Sequence, residues 1–399
     1  MATAASLAGL ARMGAAAARF LEPDPSAPPI DVRVVIPARD EADNIAACVH
    51  ACRRQAAEVV VVDDASTDGT AAVAEAAGAT HVVRLHGDPP PGWTGKARAC
   101  HAGAQAAGAQ AAGAQAGGAQ AGGAQAAGAQ AGGAQAGGAQ AGGAQAGGAQ
   151  AGGAQAGGAQ AGGAQAAGAQ AGGAQAGGAQ AGAATEWLAF VDADVVLHPH
   201  ALATMAAATR HTSTSIVGGL ECRSFWERLL LPELGLALVQ AGLPPDFASG
   251  QCFLVRRDHY EAIGGHGHPS VRASLVDDRD LARALTGHDP RLAPGLLRTR
   301  MYRDGRDLRR GLLKNQAALH TRPAVHLGAL LLPVATTRPW AAVVVSAGGR
   351  AAAGQNPLYG VLAPLARLAL ATVYLESRWR ARTGRPMAWK GRDVEATHG

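Results

Sequence analysis

The chain has 399 residues, a formal net charge of +5 and few aromatic residues. The positive excess is modest and spread along the chain, which favours anionic partners such as nucleotides or a membrane surface. No basic patch interleaved with aromatic residues is present in the sequence, so we expect no nucleic-acid partner. The five cysteines include no C-x-x-C pair, which indicates reduced thiols and argues against a disulfide framework.

Residues 1–29 are predicted to form an N-terminal apolar helix and a linker. The first 21 residues are apolar but include Arg12 and Arg19. They do not show the charged start, apolar centre and cleavage site of a signal peptide in that order. We therefore expect a helix that lies on a surface.

Short β-branched runs alternate with helix-forming stretches between residues 30 and 85. Runs at residues 32–36, 59–62 and 81–85 predict strands, and the second run ends in Asp63 and Asp64. This β-α-β-α-β order predicts the opening of a nucleotide-binding α/β fold. Neither a G-x-G-x-x-G nor a P-loop motif occurs. Acids at the strand ends can instead accept hydrogen bonds from base and ribose groups and leave the phosphates to a metal.

A loop rich in proline and glycine at residues 89–96 leads to Lys96 at the start of a predicted helix. A lysine at this position suits a phosphate oxygen. An ordinary exposed lysine is the alternative interpretation.

Residues 103–182 repeat the pattern Gly-Ala-Gln-Ala-(Gly or Ala) about sixteen times. A period of five advances roughly 140° per repeat around a helix, so no helix face stays apolar. With no charge and no large side chain to bury, the tract is predicted to be a flexible, transiently helical insertion. A solenoid is disfavoured because its repeats run about 20–50 residues and carry apolar anchors.

An apolar run at residues 187–191 ends in Asp192 and Asp194, with Ala193 between them. At the strand period of two, both carboxylates fall on one side of the chain, where they repel each other unless a cation joins them. A hard divalent ion with oxygen ligands is the natural partner. Because ligands of open α/β sheets bind at the carboxyl ends of strands, the pattern predicts a metal–diphosphate site. A strand that ends at a solvated Asp pair is the alternative.

A second acid cluster, Asp277, Asp278 and Asp280, opens a predicted helix. The helix dipole stabilises a carboxylate at this end as the anion. Capping needs one acid and explains the cluster only in part, so a general base is the additional role that we predict here.

The C-terminal part is predicted to associate with a membrane. Residues 307–320 predict a basic amphipathic helix, which suits either an anionic membrane or the solvated face of a globular domain. Apolar stretches at residues 324–337, 340–347 and 358–375 follow, but Arg338-Pro339 and Arg367 interrupt them. Because a spanning helix needs about 20 apolar residues, we expect a hairpin or two re-entrant or interfacial helices in residues 321–399. The basic tail indicates the cytoplasmic side of the cell membrane.

Seven motifs in order resemble those of family 2 glycosyltransferases with the GT-A fold. They are Val-Val-Ile-Pro-Ala-Arg-Asp-Glu (34–41), Val-Asp-Asp-Ala-Ser-Thr-Asp-Gly-Thr (62–70), Gly-Trp-Thr-Gly-Lys (92–96), Phe-Val-Asp-Ala-Asp (190–194), Ser-Gly-Gln (249–251), Gly-Gly-His (264–266) and Asp-Asp (277–278). Arg-Met-Tyr (300–302), Lys314-Asn315 and Trp-Lys-Gly-Arg (389–392) resemble the membrane-associated branch that glycosylates carotenoids and related lipids.

The resemblance implies the α/β class, with the mixed, Rossmann-like sheet of nucleotide-diphospho-sugar transferases in residues 30–320 and membrane-associated helices after it. It also implies roles for matching residues. Those of the nucleotide-sugar pocket are Pro37, Arg39, Glu41, Asp63 or Asp64 for the base, Lys96 and Asp192 for the ribose or diphosphate, Gly250 and Gln251. Asp194, with Asp192, would hold Mg²⁺ or Mn²⁺, and Asp278, beside Asp277, would be the catalytic base.

Together these features predict an inverting transfer of one sugar from a nucleotide-diphosphate donor to a hydroxyl or carboxyl group of a lipid-like, carotenoid-type acceptor. The family usually has Glu-Asp where this chain has Asp277-Asp278, and the repeat insertion has no counterpart in its pattern. The Gln-x-x-Arg-Trp element of processive synthases is absent from the sequence, which favours one sugar per acceptor. A sugar nucleotidyltransferase and a non-enzymatic membrane scaffold with a decayed transferase domain are the alternatives.

Overall fold

The computed structural model describes residues 19–106, 185–241, 247–319, 323–335, 339–385, 387–389 and 392–394. The chain divides into two units, residues 1–103 with 185–399 and residues 104–184. Most of the predicted N-terminal helix lies outside the described residues. The predicted repeat insertion does too, apart from residues 103–106.

Seven strands form the main sheet of the first unit, in the order β3-β2-β1-β4-β8-β6-β9. The strands within the described residues are β1 (Val32–Ala38), β2 (Glu58–Asp64), β3 (His81–Leu85), β4 (Trp187–Val191), β5 (Val195–Leu197), β6 (Ser213–Val217), β7 (Gly219–Leu220), β8 (Cys252–Arg256), β9 (His288–Leu292), β10 (Leu297–Thr299), β11 (Met387–Trp389) and β12 (Arg392–Val394). β1 to β4 pair in parallel, whereas β8 runs antiparallel to β4 and β6. The predicted α/β class with a mixed sheet is confirmed, and most strand pairs of that sheet are parallel.

Helices cover the sheet and extend the chain beyond it. They are α1 (Ile45–Arg53), α2 (Thr70–Ala76), α3 (95–106), α4 (Ala201–Ala208), α5 (Phe225–Ala241), α6 (Arg257–Ala262), α7 (Pro269–Arg272), α8 (Asp277–Ala284), α9 (Gly305–Leu319), α10 (Pro323–Ala335), α11 (Pro339–Ala352) and α12 (Ala363–Arg382), with 3-10 turns at Gly265–Gly267 and Pro357–Leu362. The first three predicted strands each occur in the structure, in the order that the β-branched runs predict.

The core lies between the central strands and the helices that follow them. β4 is buried at all five positions, as expected for a strand with both faces covered. Cys48 and Cys52 of α1 and Met205 of α4 belong to this core. All five cysteines are free thiols.

A second apolar cluster joins α5, α9, α10 and α12. Leu308 and Leu312 of α9 are buried in it, so the apolar face of this amphipathic helix packs on protein. Of the two interpretations of residues 307–320, the structure therefore supports the globular one. Where the sequence predicts a hairpin or two interfacial helices, the described residues contain three helices, α10 to α12.

A buried charge network ties these C-terminal helices to α5. Glu233 of α5 has no exposed surface, and it accepts hydrogen bonds from Arg350 Nη2 at 3.1 Å and Arg367 Nε at 2.8 Å. Ser346 donates a further hydrogen bond to the same carboxylate. The interruption at Arg367 is thus an inward contact with a carboxylate, and the charge does not face solvent or lipid.

Residues 357–382 are long and apolar enough to cross a membrane, with a mean hydropathy of 1.6 in their most apolar window. Buried residues make up 39% of that window. The same stretch therefore also contributes side chains to the protein core.

Candidate active site

An open cleft of about 1910 Å³ lies at the carboxyl ends of β1, β2 and β4. The antiparallel β8 contributes its entry loop to the same edge, because Cys252 at its start pairs with Val191 at the end of β4. The predicted site residues that line the cleft are Pro37, Arg39, Glu41, Asp64, Lys96, Asp192, Asp194, Gly250, Gln251, Asp277 and Asp278. The fold thus brings together residues from six separate stretches of sequence.

Asp192 and Asp194 lie in the turn between β4 and β5, because β4 ends at Val191. Both residues line the cleft. The strand periodicity from which we predicted their common side does not apply, because neither residue belongs to a strand. The Asp192 amide donates to the Gln251 carbonyl at 3.4 Å, and the Val195 amide donates to the Asp192 carbonyl at 3.1 Å. These contacts fix the turn against the entry loop of β8.

Lys96 is the centre of an ion-pair chain in the cleft. Its Nζ lies 2.9 Å from Asp192 Oδ1 and 3.5 Å from Asp278 Oδ1. The lysine enters from the first turn of α3, so the predicted approach of Lys96 to a helix start is observed. Burial acts to lower the pKa of Lys96, but Asp192, Asp278 and Asp277 together raise it well above its usual value. The side chain therefore stays a cation.

Gly250 occupies a position where a side chain does not fit. A Cβ atom there would lie 2.5 Å from Lys96 Nζ and 2.6 Å from Asp278 Oδ2. Beside it, Gln251 Oε1 accepts a hydrogen bond from the Gly218 amide at 2.8 Å, which anchors the loop. The loop at residues 249–251 thus packs its backbone directly on the ion pair.

Asp277 and Asp278 occupy the first turn of α8, as predicted, in different environments. The Asp278 side chain is one-fifth exposed and faces the cleft, whereas Asp277 is almost fully buried. Burial and the neighbouring Asp277 charge raise the pKa of Asp278 to about 7, although Lys96 acts to lower it. A carboxylate with this pKa can both accept and release a proton near neutral pH.

Of the two aspartates predicted to hold the base, only one lines the cleft. Asp64 lines the cleft, but its Oδ1 accepts a hydrogen bond from Arg98 Nη2. Asp63 is buried, accepts from the Ser66 amide at 3.3 Å and does not line the cleft. Arg39 donates to the Asp64 carbonyl at 2.5 Å and so connects the loops that follow β1 and β2.

Two basic residues near these acids, Arg98 and Lys314, were not among the predicted site residues. Arg98 follows Lys96 by two positions on α3 and pairs with Asp64. Lys314 of α9 lines the cleft near the same acids, and burial and Lys96 lower its pKa. The Lys-x-Arg spacing was the available signal for Arg98. Lys314 is brought to the cleft only by the packing of α9.

Comparison with known proteins gives a partial match at the sequence level. Residues 33–112 match the family model described as glycosyl transferase family 2. Two relatives named 4,4'-diaponeurosporenoate glycosyltransferase, from Staphylococcus aureus strains MRSA252 and USA300, are each 42% identical over 72 residues. That match covers 18% of this chain, and the chain spans 19% of the length of each relative.

Two solved structures are similar over most of the chain. A mannosyltransferase from Pyrobaculum calidifontis, solved with GDP-Man and Mn²⁺, is 17% identical with a TM-score of 0.46, covering 95% of this chain and 96% of its own. Glucosyl-3-phosphoglycerate synthase from Mycobacterium tuberculosis, solved with phosphoglyceric acid, is 14% identical with a TM-score of 0.37, covering 78% and 86%. Residues 33–112 are thus similar in sequence to glycosyl transferase family 2, as the motifs of this segment predict.

Proposed function

We propose that this chain is an inverting, non-processive glycosyltransferase that moves a sugar from a nucleotide-diphosphate donor to a lipid-like acceptor. The observation that carries the proposal is the chain Asp192–Lys96–Asp278 across the cleft. It places a permanent cation, suited to a diphosphate, beside a carboxylate whose pKa is about 7. A transferase needs both groups within reach of one reacting carbon.

The proposed step is a direct displacement at the anomeric carbon. Asp278 accepts the proton of the acceptor hydroxyl while the acceptor oxygen bonds to that carbon. The bond from the carbon to the diphosphate oxygen breaks with its electron pair, and the nucleoside diphosphate leaves. Lys96 lies where it can stabilise the negative charge that develops on the leaving group.

The acids of the β4–β5 turn fit a divalent cation. Asp192 and Asp194 both line the cleft and offer the hard oxygen donors that Mg²⁺ and Mn²⁺ prefer. We propose that these two residues hold the ion with the donor. When bound, such an ion neutralises diphosphate charge. Asp194→Ala should then weaken donor binding mainly in the presence of the metal.

The acceptor is proposed to be lipid-like, of carotenoid type. Support comes from the 72-residue match to relatives named for 4,4'-diaponeurosporenoate. Further support comes from an exposed apolar stripe on α12, where Leu365, Leu368, Leu375 and Trp379 recur at helical spacing. An acceptor that partitions into membranes would meet the enzyme at such a surface.

We propose that the outer face of α12 lies in the membrane interface while its inner face packs on α5 and α9. The exposed Trp379 stacks under Arg385, whose guanidinium carbon lies 4.4 Å from the ring centroid. Aromatic and basic side chains together are typical of the interface between lipid and water. In this proposal residues 30–320 form the transferase domain, residues 103–182 its insertion, and residues 321–399 its membrane-facing part on the cytoplasmic side.

The test uses membranes that contain the full chain, Mn²⁺ and a panel of nucleotide sugars. We expect nucleoside diphosphate release that depends on a hydroxylated carotenoid and falls about 10²- to 10⁴-fold in Asp278→Asn. Asp280→Asn is the matched control, because Asp280 lies on the same helix, binds Ser274 and Arg279, and does not line the cleft. A carboxylated carotenoid forms the second arm, since a carboxylate acceptor arrives without a proton and should depend less on Asp278.

Two outcomes would replace the proposal. Pyrophosphate release from a nucleoside triphosphate and a sugar phosphate would identify a nucleotidyltransferase. Donor binding by a folded chain, with no transfer to any acceptor, would favour the membrane scaffold.

A further inference from the structure

A group of buried side chains packs next to Asp277. His266 is 1% exposed, and its ring packs edge-on against Phe190 of β4 with centroids 4.6 Å apart. Tyr260 of α6 is buried beside it. Gly265 permits this packing, because a Cβ there would lie 2.1 Å from Tyr260 Cζ and the backbone has φ +54°. The Gly-Gly-His motif therefore allows His266 to pack closely against Tyr260.

Tyr260 determines which ring nitrogen of His266 carries the proton. The tyrosine oxygen accepts a hydrogen bond from the His266 amide at 3.1 Å and lies 3.0 Å from His266 Nδ1. The opposite ring nitrogen, Nε2, faces the Asp277 carboxylate, which can only accept a hydrogen bond, so the Tyr260 hydroxyl donates to Nδ1 when the ring proton lies on Nε2. Burial lowers the pKa of His266 and so favours the neutral ring, and the Asp277 carboxylate favours the tautomer whose proton lies on Nε2.

His266 Nε2 faces Asp277. The distance from Nε2 to Asp277 Oδ2 is 3.6 Å, slightly longer than a hydrogen bond. Among the residues that the structure describes, Oδ2 has no hydrogen-bond partner, although Asp277 is only 3% exposed. The N–H dipole of the oriented imidazole therefore points at a buried carboxylate oxygen that needs stabilisation.

We propose that His266, oriented by Tyr260, is a positioning residue that holds the Asp277 carboxylate beside Asp278 for the transfer reaction. The proposal rests on the proposed function and adds to it two buried residues that act on Asp278 through Asp277. It explains why the acid pair at the start of α8 has one exposed and one buried member.

The negative charge of Asp277 affects the pKa of Asp278. Burial acts to raise the pKa of Asp277, while Lys96 and His266 lower it and keep the residue ionised. That fixed negative charge raises the pKa of the neighbouring Asp278. The groups that face the acid pair from all sides are Lys96, Cys100, Asp192, His266 and Lys314.

A cation held by Cys100, His266 and Asp277 is the competing explanation. One ligand atom from each residue lies within 4.8 Å of the others. However, burial and Asp277 raise the pKa of the Cys100 thiol well above its usual value, so the thiol is a weak ligand. The Lys96 cation nearby also disfavours a second positive charge.

The test compares His266→Leu with His266→Gln, whose amide can present an N–H group toward Asp277. We expect His266→Leu to lower kcat about 10- to 100-fold with little change in donor KM. Without the imidazole, buried Asp277 becomes neutral more readily, so the pKa of Asp278 falls. The acidic limb of kcat/KM should move to lower pH by about one unit, as in Asp277→Asn. His266→Gln should recover most of both effects, and Tyr260→Phe should be intermediate.

Cys100→Ser and metal analysis separate the two explanations. Unchanged kinetics in Cys100→Ser support positioning, whereas a stoichiometric metal ion lost in that variant would overturn it. An acidic limb that stays in place in His266→Leu would overturn it as well.

A second readout does not depend on catalysis. In ¹⁵N NMR of histidine-labelled protein, the signals absent from His266→Leu should report a neutral Nε2–H ring at neutral pH in the wild type, because burial lowers the pKa of His266. An Nδ1–H ring at that position would contradict the proposal even if the chain transferred no sugar. Conversely, the expected tautomer without any transferase activity would leave the positioning contact intact and refute the proposed function.

Discussion

A Cβ atom on Gly250 would lie 2.6 Å from Asp278 Oδ2, so the backbone of residue 250 packs directly on the proposed base. The same atom would lie 2.5 Å from Lys96 Nζ. The Ser-Gly-Gln motif thus contributes a surface without a side chain, against which a cation and a carboxylate are held together.

Gly250→Ala should separate activity from stability. The added methyl group must displace Lys96 or Asp278, and a shift of about 1 Å in a reacting group can cost about 10²-fold in rate. Gly348→Ala is the matched control, since a Cβ on that exposed α11 glycine has no heavy atom within 4 Å and the residue does not line the cleft. The control should keep full activity and gain about 0.5–1 kcal/mol in helix stability. Equal kcat in both variants would refute the packing argument.

The pH dependence of transfer should follow Asp278. A base must be deprotonated, so kcat/KM with a hydroxyl acceptor should be low in acid and rise with pH through about 7. A profile that rises near pH 4 instead would show that Asp278 is not the group that titrates.

Asp278 should also reduce stability at high pH. Its folded pKa, about 7, lies above the ordinary aspartate value of 3.8, so the folded state binds the proton more tightly. The stabilisation from that proton is present below pH 4 and is lost as pH rises through 7. Asp278→Asn should therefore raise the free energy of unfolding at pH 8 by about 1–3 kcal/mol. Denaturant unfolding at pH 4 and pH 8 tests this, and an equal difference at both pH values would contradict it.

Features encoded by local sequence patterns were predictable, whereas contacts between residues far apart in the sequence were not. The β-branched runs at β1 to β3 and the acids at their ends are local patterns, so the sheet edge and its acids were predictable. The approach of Lys96 to Asp278 joins residues 182 positions apart, and no local period encodes it. The burial of Arg367 on Glu233 spans 134 positions, and sequence showed only an interruption in an apolar stretch. The Asp192–Asp194 pair lines the cleft through a turn where a strand was expected.

Removing the charge of Glu233 should destabilise the C-terminal helices strongly. Glu233→Gln leaves Arg350 and Arg367 buried, at 2% and 0% exposure, with no carboxylate between them. Breaking a buried ion pair in this way costs about 3–5 kcal/mol. The urea midpoint should therefore fall.

A triple variant provides the control for that experiment. Glu233→Leu combined with Arg350→Met and Arg367→Met removes all three charges and keeps the side-chain volume. It should be less destabilised than Glu233→Gln alone, because no unpaired charge is left buried. A wild-type urea midpoint in Glu233→Gln would show that the network contributes little.

Charge on the outer stripe of α12 should abolish membrane binding without unfolding the chain. Leu365 and Leu368 are 63% and 46% exposed, so glutamate at both positions meets water in the free protein but must leave it in a bilayer interface. Losing two leucines that the bilayer would bury should weaken binding to vesicles of anionic and neutral phospholipid at least about tenfold.

Ala72→Glu with Ala76→Glu serves as the reference for that measurement, because it adds the same two negative charges on the exposed side of α2 and leaves the C-terminal helices untouched. Its binding in co-sedimentation should equal that of the wild type. If the α12 variant also sediments like the wild type, this stripe is not the membrane-facing surface. If both variants lose binding alike, net charge governs the attachment and the apolar stripe does not. Loss in the α12 variant alone, with an unchanged urea midpoint, is the result that we expect.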